Sequence, residues 1–156
     1  MQFDNKNKVL KLNMRRYIVL LLFTTIIVLL VFTRLLNNPV WVIDKTTAIL
    51  ITIVAYLIYI IITYIINYQY IFYSDEGDKI ILKYVSLRPF NNKRNAIEIF
   101  KRNYSGYKIC KSFLNLKEEI IFFVQTPNGV AKYPPISIAA LTPKQKKILI
   151  NSITQL

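Results

Sequence analysis

Two stretches without a single charge decide what this chain can become. The first, Tyr17 to Thr33, reads YIVLLLFTTIIVLLVFT over 17 residues, and Arg34-Leu35-Leu36 lengthen it to 20. An arginine at the end of a span can reach back to the headgroups. At about 1.5 Å per residue the stretch measures roughly 30 Å, the thickness of bilayer hydrocarbon. The second, Thr46 to Tyr68, is uncharged for 23 residues. It would reach about 35 Å, enough to cross with some tilt. A chain of 156 residues and 18.3 kDa has too little interior to surround two such helices, so both read as transmembrane.

A cleaved signal sequence is the competing reading of the first stretch. Its apolar run exceeds the usual roughly 7–15 residues, and it leads to no A-x-A-like site. The chain instead continues as RLLNNPVWVIDK, a short polar loop with Asn37-Asn38-Pro39 as turn chemistry. Trp41 is its interfacial anchor, and Tyr17, Arg34, Tyr64 and Tyr68 mark the other interfacial positions.

Basic residues set the orientation. Lys6, Lys8, Lys11, Arg15 and Arg16 precede the first span, only Arg34 and Lys45 lie between the spans, and 14 come after the second. Two spans place both ends of the chain on one side, which then holds 19 of the 21 basic residues. The positive-inside rule makes that side the cytoplasm, with Asn37 to Lys45 outside and the setting an inner membrane. The formal net charge of +13 fits an anionic surface as partner. In a reducing cytosol the lone Cys110 stays a thiol.

From Gln69 the pattern changes to short β-type runs separated by turn signals. YQYIFYS (68–74) meets the turn Asp75-Glu76-Gly77-Asp78, and KIILKYVSL (79–87) runs to Pro89 and a polar Asn91–Arg94 turn. AIEIF (96–100) alternates, with Ile97 and Ile99 inward and Glu98 outward. YSGYKICKSF (104–113) carries Gly106, which predicts a bulge. EEIIFFVQT (118–126) meets Pro127-Asn128-Gly129, a hairpin signal, and VAKYPPISI (130–138) holds paired prolines that fit only an edge or a strand end. The last segment reads as a helix, with Thr142 as N-cap, Pro143 at the first position, and Ile148, Leu149, Ser152, Ile153 and Leu156 on one face. Lys144, Lys146 and Lys147 stand in its first turns, where the helix dipole disfavours cations.

The expected organisation is a basic N-terminal segment (1–16), a transmembrane hairpin (17–68, spans about 17–36 and 46–68) and a cytoplasmic α+β domain (69–156). That domain is expected to be an antiparallel barrel or sandwich of about six strands with a capping helix, closure removing the sheet edges. The pieces YIFYSDEGDKIILKYVSL, the IEI strand at 97–99 and the closing run KYPPISIAALTPKQKKILINSI, behind two spans, resemble small bacterial membrane proteins with a pleckstrin-homology-like (PH-like) domain. The resemblance rests on element order over residues 69–156. Eukaryotic members of that wider fold bind phosphoinositides through basic residues of the first hairpin. Here that turn is acidic, so the resemblance does not carry inositide binding to it.

Chemistry finds little purchase. The chain has no His, the commonest general base. The acidic turn lacks the calcium-loop pattern, and Glu118 and Glu119 are strand neighbours on opposite faces. Glycines occur only at 77, 106 and 129, so no phosphate loop exists. Lys108 and Lys111 flank Cys110, but no His accompanies it, and a passive cysteine is expected. The reading is therefore non-enzymatic, with no cofactor, metal or nucleic acid. Arg88, Lys93, Arg94, Lys101 and Arg102, in the loops around the third expected strand, are the candidates for binding anionic lipid or a partner. A stripe of Ala48, Thr52, Ala55, Tyr56, Tyr59 and Thr63 is expected to pack on the first span near Thr24 and Thr25. Ile53, Ile58 and Ile61 would then face lipid or another subunit. The functional expectation is an inner-membrane protein presenting a PH-like binding or scaffold domain to lipid headgroups and to a protein partner or a second copy. The alternatives are a ligand-gated membrane effector, to which some anti-phage proteins with a nucleotide-sensing β-barrel look similar, and an immunity protein against a membrane toxin.

Overall fold

The computed structural model describes residues 1–32, 44–88, 91 and 93–155. The chain forms two compact units, Met1–Leu10 with Tyr64–Leu156, and Lys11–Thr63. The first is called the β-unit here and the second the helical unit.

The helical unit is built from α1 (Lys6–Phe32) and α2 (Lys45–Ile66), both long and apolar enough to cross a membrane. Asp44 starts α2 by accepting from the backbone N–H of Thr46 and of Thr47, each at 3.2 Å. Helix α1 begins eleven residues before the uncharged stretch, so Lys6 to Arg16, expected as a basic leader, is already helical.

The β-unit begins with the strand β1 (Gln2–Asp4), which the sequence reading left inside its N-terminal segment. It pairs antiparallel with β2 (Gln69–Ser74), and β3 (Lys79–Ser86) and β4 (Arg94–Phe100) complete a four-stranded sheet in the order β1-β2-β3-β4. A 3-10 turn, Lys101–Asn103, leads to the second sheet: β5 (Tyr104–Ser112), β6 (Lys117–Thr126) and β7 (Gly129–Lys132), with β8 (Ile136–Ser137) also on β6. Helix α3 (Pro143–Thr154) closes the unit.

Of the expected barrel or sandwich of about six strands, the closed barrel is corrected: the strands form two antiparallel sheets. Strand β1 takes the edge position beside β2 and is only three residues long, and short edge strands limit further pairing. Alternation holds within the strands. Ile71 and Tyr73, Ile80 and Leu82, Ile97 and Ile99, and Ile120 and Phe122 point inward, joined by Ile136, Ile138, Leu141, Leu149 and Ile153. Each such aliphatic side chain stabilises by about 1.5–3 kcal/mol on full burial.

Punctuation agrees closely with the sequence reading. The register shifts between Tyr104 and Gly106, whose φ is +129°. Pro127-Asn128 form the two-residue turn of the β6–β7 hairpin, closed by the Thr126–Gly129 pair. Pro134 and Pro135 fall between β7 and β8. Thr142 and Gln145 make a reciprocal capping box at α3, with Pro143 at its start. Of the expected α3 face, Leu149, Ser152 and Ile153 are buried and Ile148 half-buried, while the side chain of Leu156 lies outside the described residues.

Candidate functional site

The β-unit has two ends, and its side chains differ sharply between them. At one, called the root here, α2 terminates and α1 begins. Asn5 follows β1 directly, is 1% exposed, and receives the first turn of α1 through its carbonyl, which accepts from Val9 N at 3.0 Å. Its side chain bridges strand β2, donating from Nδ2 to Gln69 O (3.0 Å) and accepting at Oδ1 from Ile71 N (2.8 Å). Gln69 Oε1 in turn accepts from Ser137 N at 3.0 Å, and Ser137 Oγ donates to Ile66 O at 3.2 Å. Asn5, Gln69 and Ser137 are all buried. Buried polar groups linked in this way fix one arrangement, because each would be costly unpaired.

Helix α2 ends where Asn67 turns left-handed at φ +52°, and its terminal carbonyls need donors. Ser137 serves Ile66, and Arg88 serves Tyr64, donating from a guanidinium nitrogen at 3.2 Å. The same guanidinium lies 4.2 Å from the Tyr64 ring centroid. A cation at a helix C-terminus also suits the dipole. Thus Arg88, expected to bind a partner, is held on α2. Only Asn67 and Tyr68 separate α2 from β2.

The five basic candidates do not form one patch. Lys93 and Arg94 are exposed at the root, with Arg94 opposite Val85. Lys101 and Arg102 come after the far end of β4, which is seven residues long, or about 20 Å. Adjacency in sequence concealed this, because the strand between the two groups turns neighbours into opposites. Lys101 is also engaged, pairing with Asp75 at 2.6 Å, and Arg102 lies 5.2 Å from the Phe100 ring.

At that far end Asp75 joins a chain of contacts under α3. Its Oδ2 accepts from Ser152 Oγ at 2.5 Å, and that hydroxyl meets Tyr73 OH at 2.8 Å. Burial would raise the Asp75 carboxyl, but the Lys101 ammonium and the Ser152 hydroxyl outweigh it and hold the pKa below the ordinary 3.8. Burial pushes the phenols of Tyr73 and Tyr104 up to about 12, so both stay protonated. The acidic turn is therefore a structural anchor for α3 and Lys101.

Glu118 and Glu119 separate as expected. Glu118 pairs with Lys146 of α3 and lies 3.8 Å from Lys111, whereas Glu119 pairs with Lys117 at 2.9 Å. The Lys146 ammonium beside the N-terminus of α3 is thus offset by a carboxylate from β6. Cys110 is half-buried on β5, opposite Glu119. Among the described residues no group of three or more His, Cys, Asp or Glu side chains is placed to hold a metal ion.

The sequence reading passed over the β5–β6 turn. Phe113, Leu114 and Asn115 take φ values of +52°, +54° and +63°, and Phe113, Leu114 and Leu116 are exposed, Leu114 by 89%. The signal is available in FLNL (113–116), of which the sequence pattern takes only Phe113, as the last residue of a strand.

In the helical unit, Ala48, Thr52, Tyr56, Tyr59 and Thr63 are half-buried along one side of α2, while Ile53, Ile58 and Ile61 are exposed. Ala55, expected in the stripe, is exposed as well. The partner on α1 is Phe23, whose ring centroid is 5.2 Å from that of Tyr56. Thr24 and Thr25, expected near this contact, are exposed and bond back to Leu21 O, and the ring contact itself falls on the neighbouring Phe23. Thr52 and Thr63 bond back likewise to Ala48 O and Tyr59 O. Of the interfacial anchors, Tyr17 and Tyr64 are exposed and Tyr68 is half-buried, while Arg34 and Trp41 lie outside the described residues.

No family model, curated protein or solved structure matches the chain.

Proposed function

We propose that this is a non-enzymatic protein of the bacterial inner membrane, in which α1 and α2 cross as a hairpin and the β-unit works at the cytosolic headgroups as a PH-like binding domain. Its partners are anionic lipid and a second protein or copy. The observation that carries the reading is the pairing of β1 with β2, locked by Asn5. The chain leaves this sheet at residue 5 and returns to it at residue 69, so the segment between must cross a bilayer an even number of times. Two helices of spanning length meet that condition. The basic excess then assigns the side.

Two antiparallel sheets closed by a helix support the PH-like description. Lys93 and Arg94, exposed at the root, support contact with anionic headgroups, at about 1 kcal/mol per basic residue near the surface. The buried polar side chains described are Asn5, Gln69, Ser74, Ser137 and Ser152, none of them charged. A core of this kind favours a scaffold over an effector that would recognise a nucleotide with an inward arginine. Fusions to the C-terminus test the topology. Green fluorescent protein should fluoresce there and alkaline phosphatase should stay inactive. An active phosphatase at that position would overturn the orientation.

A further inference from the structure

We propose that the β5–β6 hairpin is a third membrane contact, its tip Phe113, Leu114 and Leu116 inserting into the headgroup–acyl boundary of the anionic bilayer. The inference rests on the reading of α1 and α2 as spans and adds a site that this reading does not require.

Position comes first. Glu119 of β6 pairs with Ser137 of β8, and Ser137 Oγ reaches the last carbonyl of α2. From Glu119 the strand runs back through Glu118 and Lys117 to Leu116, roughly 10 Å at about 3.4 Å per residue. The tip therefore projects from the root, the end of the β-unit where α2 terminates. The other β6 turn, Pro127-Asn128, lies at the opposite end of the same strand. With two residues between α2 and β2, about 7 Å of extended chain, the root cannot withdraw from the surface where α2 emerges.

Chemistry comes second. Three large apolar side chains stand at one turn with exposures of 42%, 89% and 49%. Phe113 and Leu114 hold left-handed backbone there beside Asn115, at a cost that Gly or Asn in their places would avoid. A water-facing tip gains nothing from that arrangement. Behind the tip, Lys111, Lys117 and Lys146 outnumber Glu118 and Glu119, with which they pair, by one net positive charge, and their long stems allow the ammonium groups to stay at phosphate level while the tip lies deeper. Lys93 and Arg94 stand at the same end. An apolar tip with a basic collar fits an anionic lipid surface.

The test uses the full chain in nanodiscs of phosphatidylethanolamine and phosphatidylglycerol. Trp41 is the single tryptophan, and a Trp41→Phe background silences it. Leu114→Trp should then give blue-shifted emission that lipids brominated near the headgroup quench and aqueous iodide does not. Asn128→Trp, at the opposite end, should show the reverse. Leu116→Trp, read the same way, serves if Leu114→Trp does not recover the native circular dichroism. Iodide quenching at the tip as strong as at position 128 would overturn the proposal, including the case in which the tip docks a protein instead. Carbonate extraction separates the two levels. A chain that stays in the membrane with a water-accessible tip refutes the insertion alone, and a chain released by carbonate refutes the spans beneath it.

Discussion

Replacing Asn5 with alanine should be among the most damaging single changes in the β-unit. The side chain is 1% exposed and makes two hydrogen bonds to strand β2, at 3.0 and 2.8 Å. Alanine removes both and leaves Gln69 O and Ile71 N buried without partners. An orphaned buried group costs about 1–3 kcal/mol, so the pair amounts to about 3 kcal/mol once relaxation is allowed for. A domain of about 100 residues shifts its midpoint by roughly 4–8 °C per kcal/mol, which sets the expected loss at about 12–24 °C. Near-ultraviolet circular dichroism of the detergent-solubilised protein reads this directly through the buried tyrosines. Asn5→Asp should fare no better, since a carboxylate keeps the acceptor for Ile71 N but opposes the Gln69 carbonyl. Gln2→Ala, exposed on the same strand, should shift the midpoint by no more than a few degrees, in keeping with about 0.5 kcal/mol for surface changes. An Asn5→Ala midpoint within about 3 °C of the native one would refute the claim that this residue joins α1 to the sheet.

The geometry sets two further outcomes. Asp75 has a lowered folded pKa, so its contribution is complete above the ordinary carboxylate value and lost as pH falls through the folded value. Asp75→Asn should therefore lower the urea midpoint at neutral pH, and the gap from the native protein should close below about pH 4; a gap that persists in acid would contradict the pairing with Lys101. In the helical unit, cysteines replacing Phe23 and Tyr56, whose rings lie 5.2 Å apart, should cross-link within one chain on mild oxidation. Cross-linking of Thr24 with Ala55 and not of this pair would reverse the assigned faces.

Local signals in the sequence carried far. Gly106, Pro127-Asn128, Pro134-Pro135 and Thr142-Pro143 each act on their own backbone, and each marks the bulge, turn or cap that its chemistry requires. Period-two alternation identified Ile97 and Ile99 as inward because burial tracks the pleat. The half-buried stripe on α2 was equally legible, apart from Ala55, because helical spacing encodes it. What could not be read depends on residues distant along the chain. Strand β1 is three residues long and acquires its meaning only from β2, whose paired residues lie 68 to 72 positions away. Glu118 neutralises Lys146 across 28 positions, and Arg88 caps a helix 24 residues earlier. The basic candidates failed as a cluster for the same reason: proximity in sequence says nothing about the two ends of an extended strand.

The pairing of β1 with β2 also makes the membrane hairpin an insertion within a sheet, and that reorders biogenesis. During synthesis the first strand emerges before anything it pairs with exists. Its partner arrives only after both apolar helices have left the ribosome and, on the proposed topology, entered the bilayer. Residues 1–5 must wait through that whole interval, and docking them closes a loop of more than 60 residues. Such closure has a steep entropic onset but grows slowly with length, so the long wait adds little to the equilibrium cost. The kinetic consequence is larger, since non-local strand pairing is slow and the edge of β2 stays open until it occurs. Docking of β1 then follows passage of both helices, and it can succeed only in chains whose helices have returned them to the side from which they began.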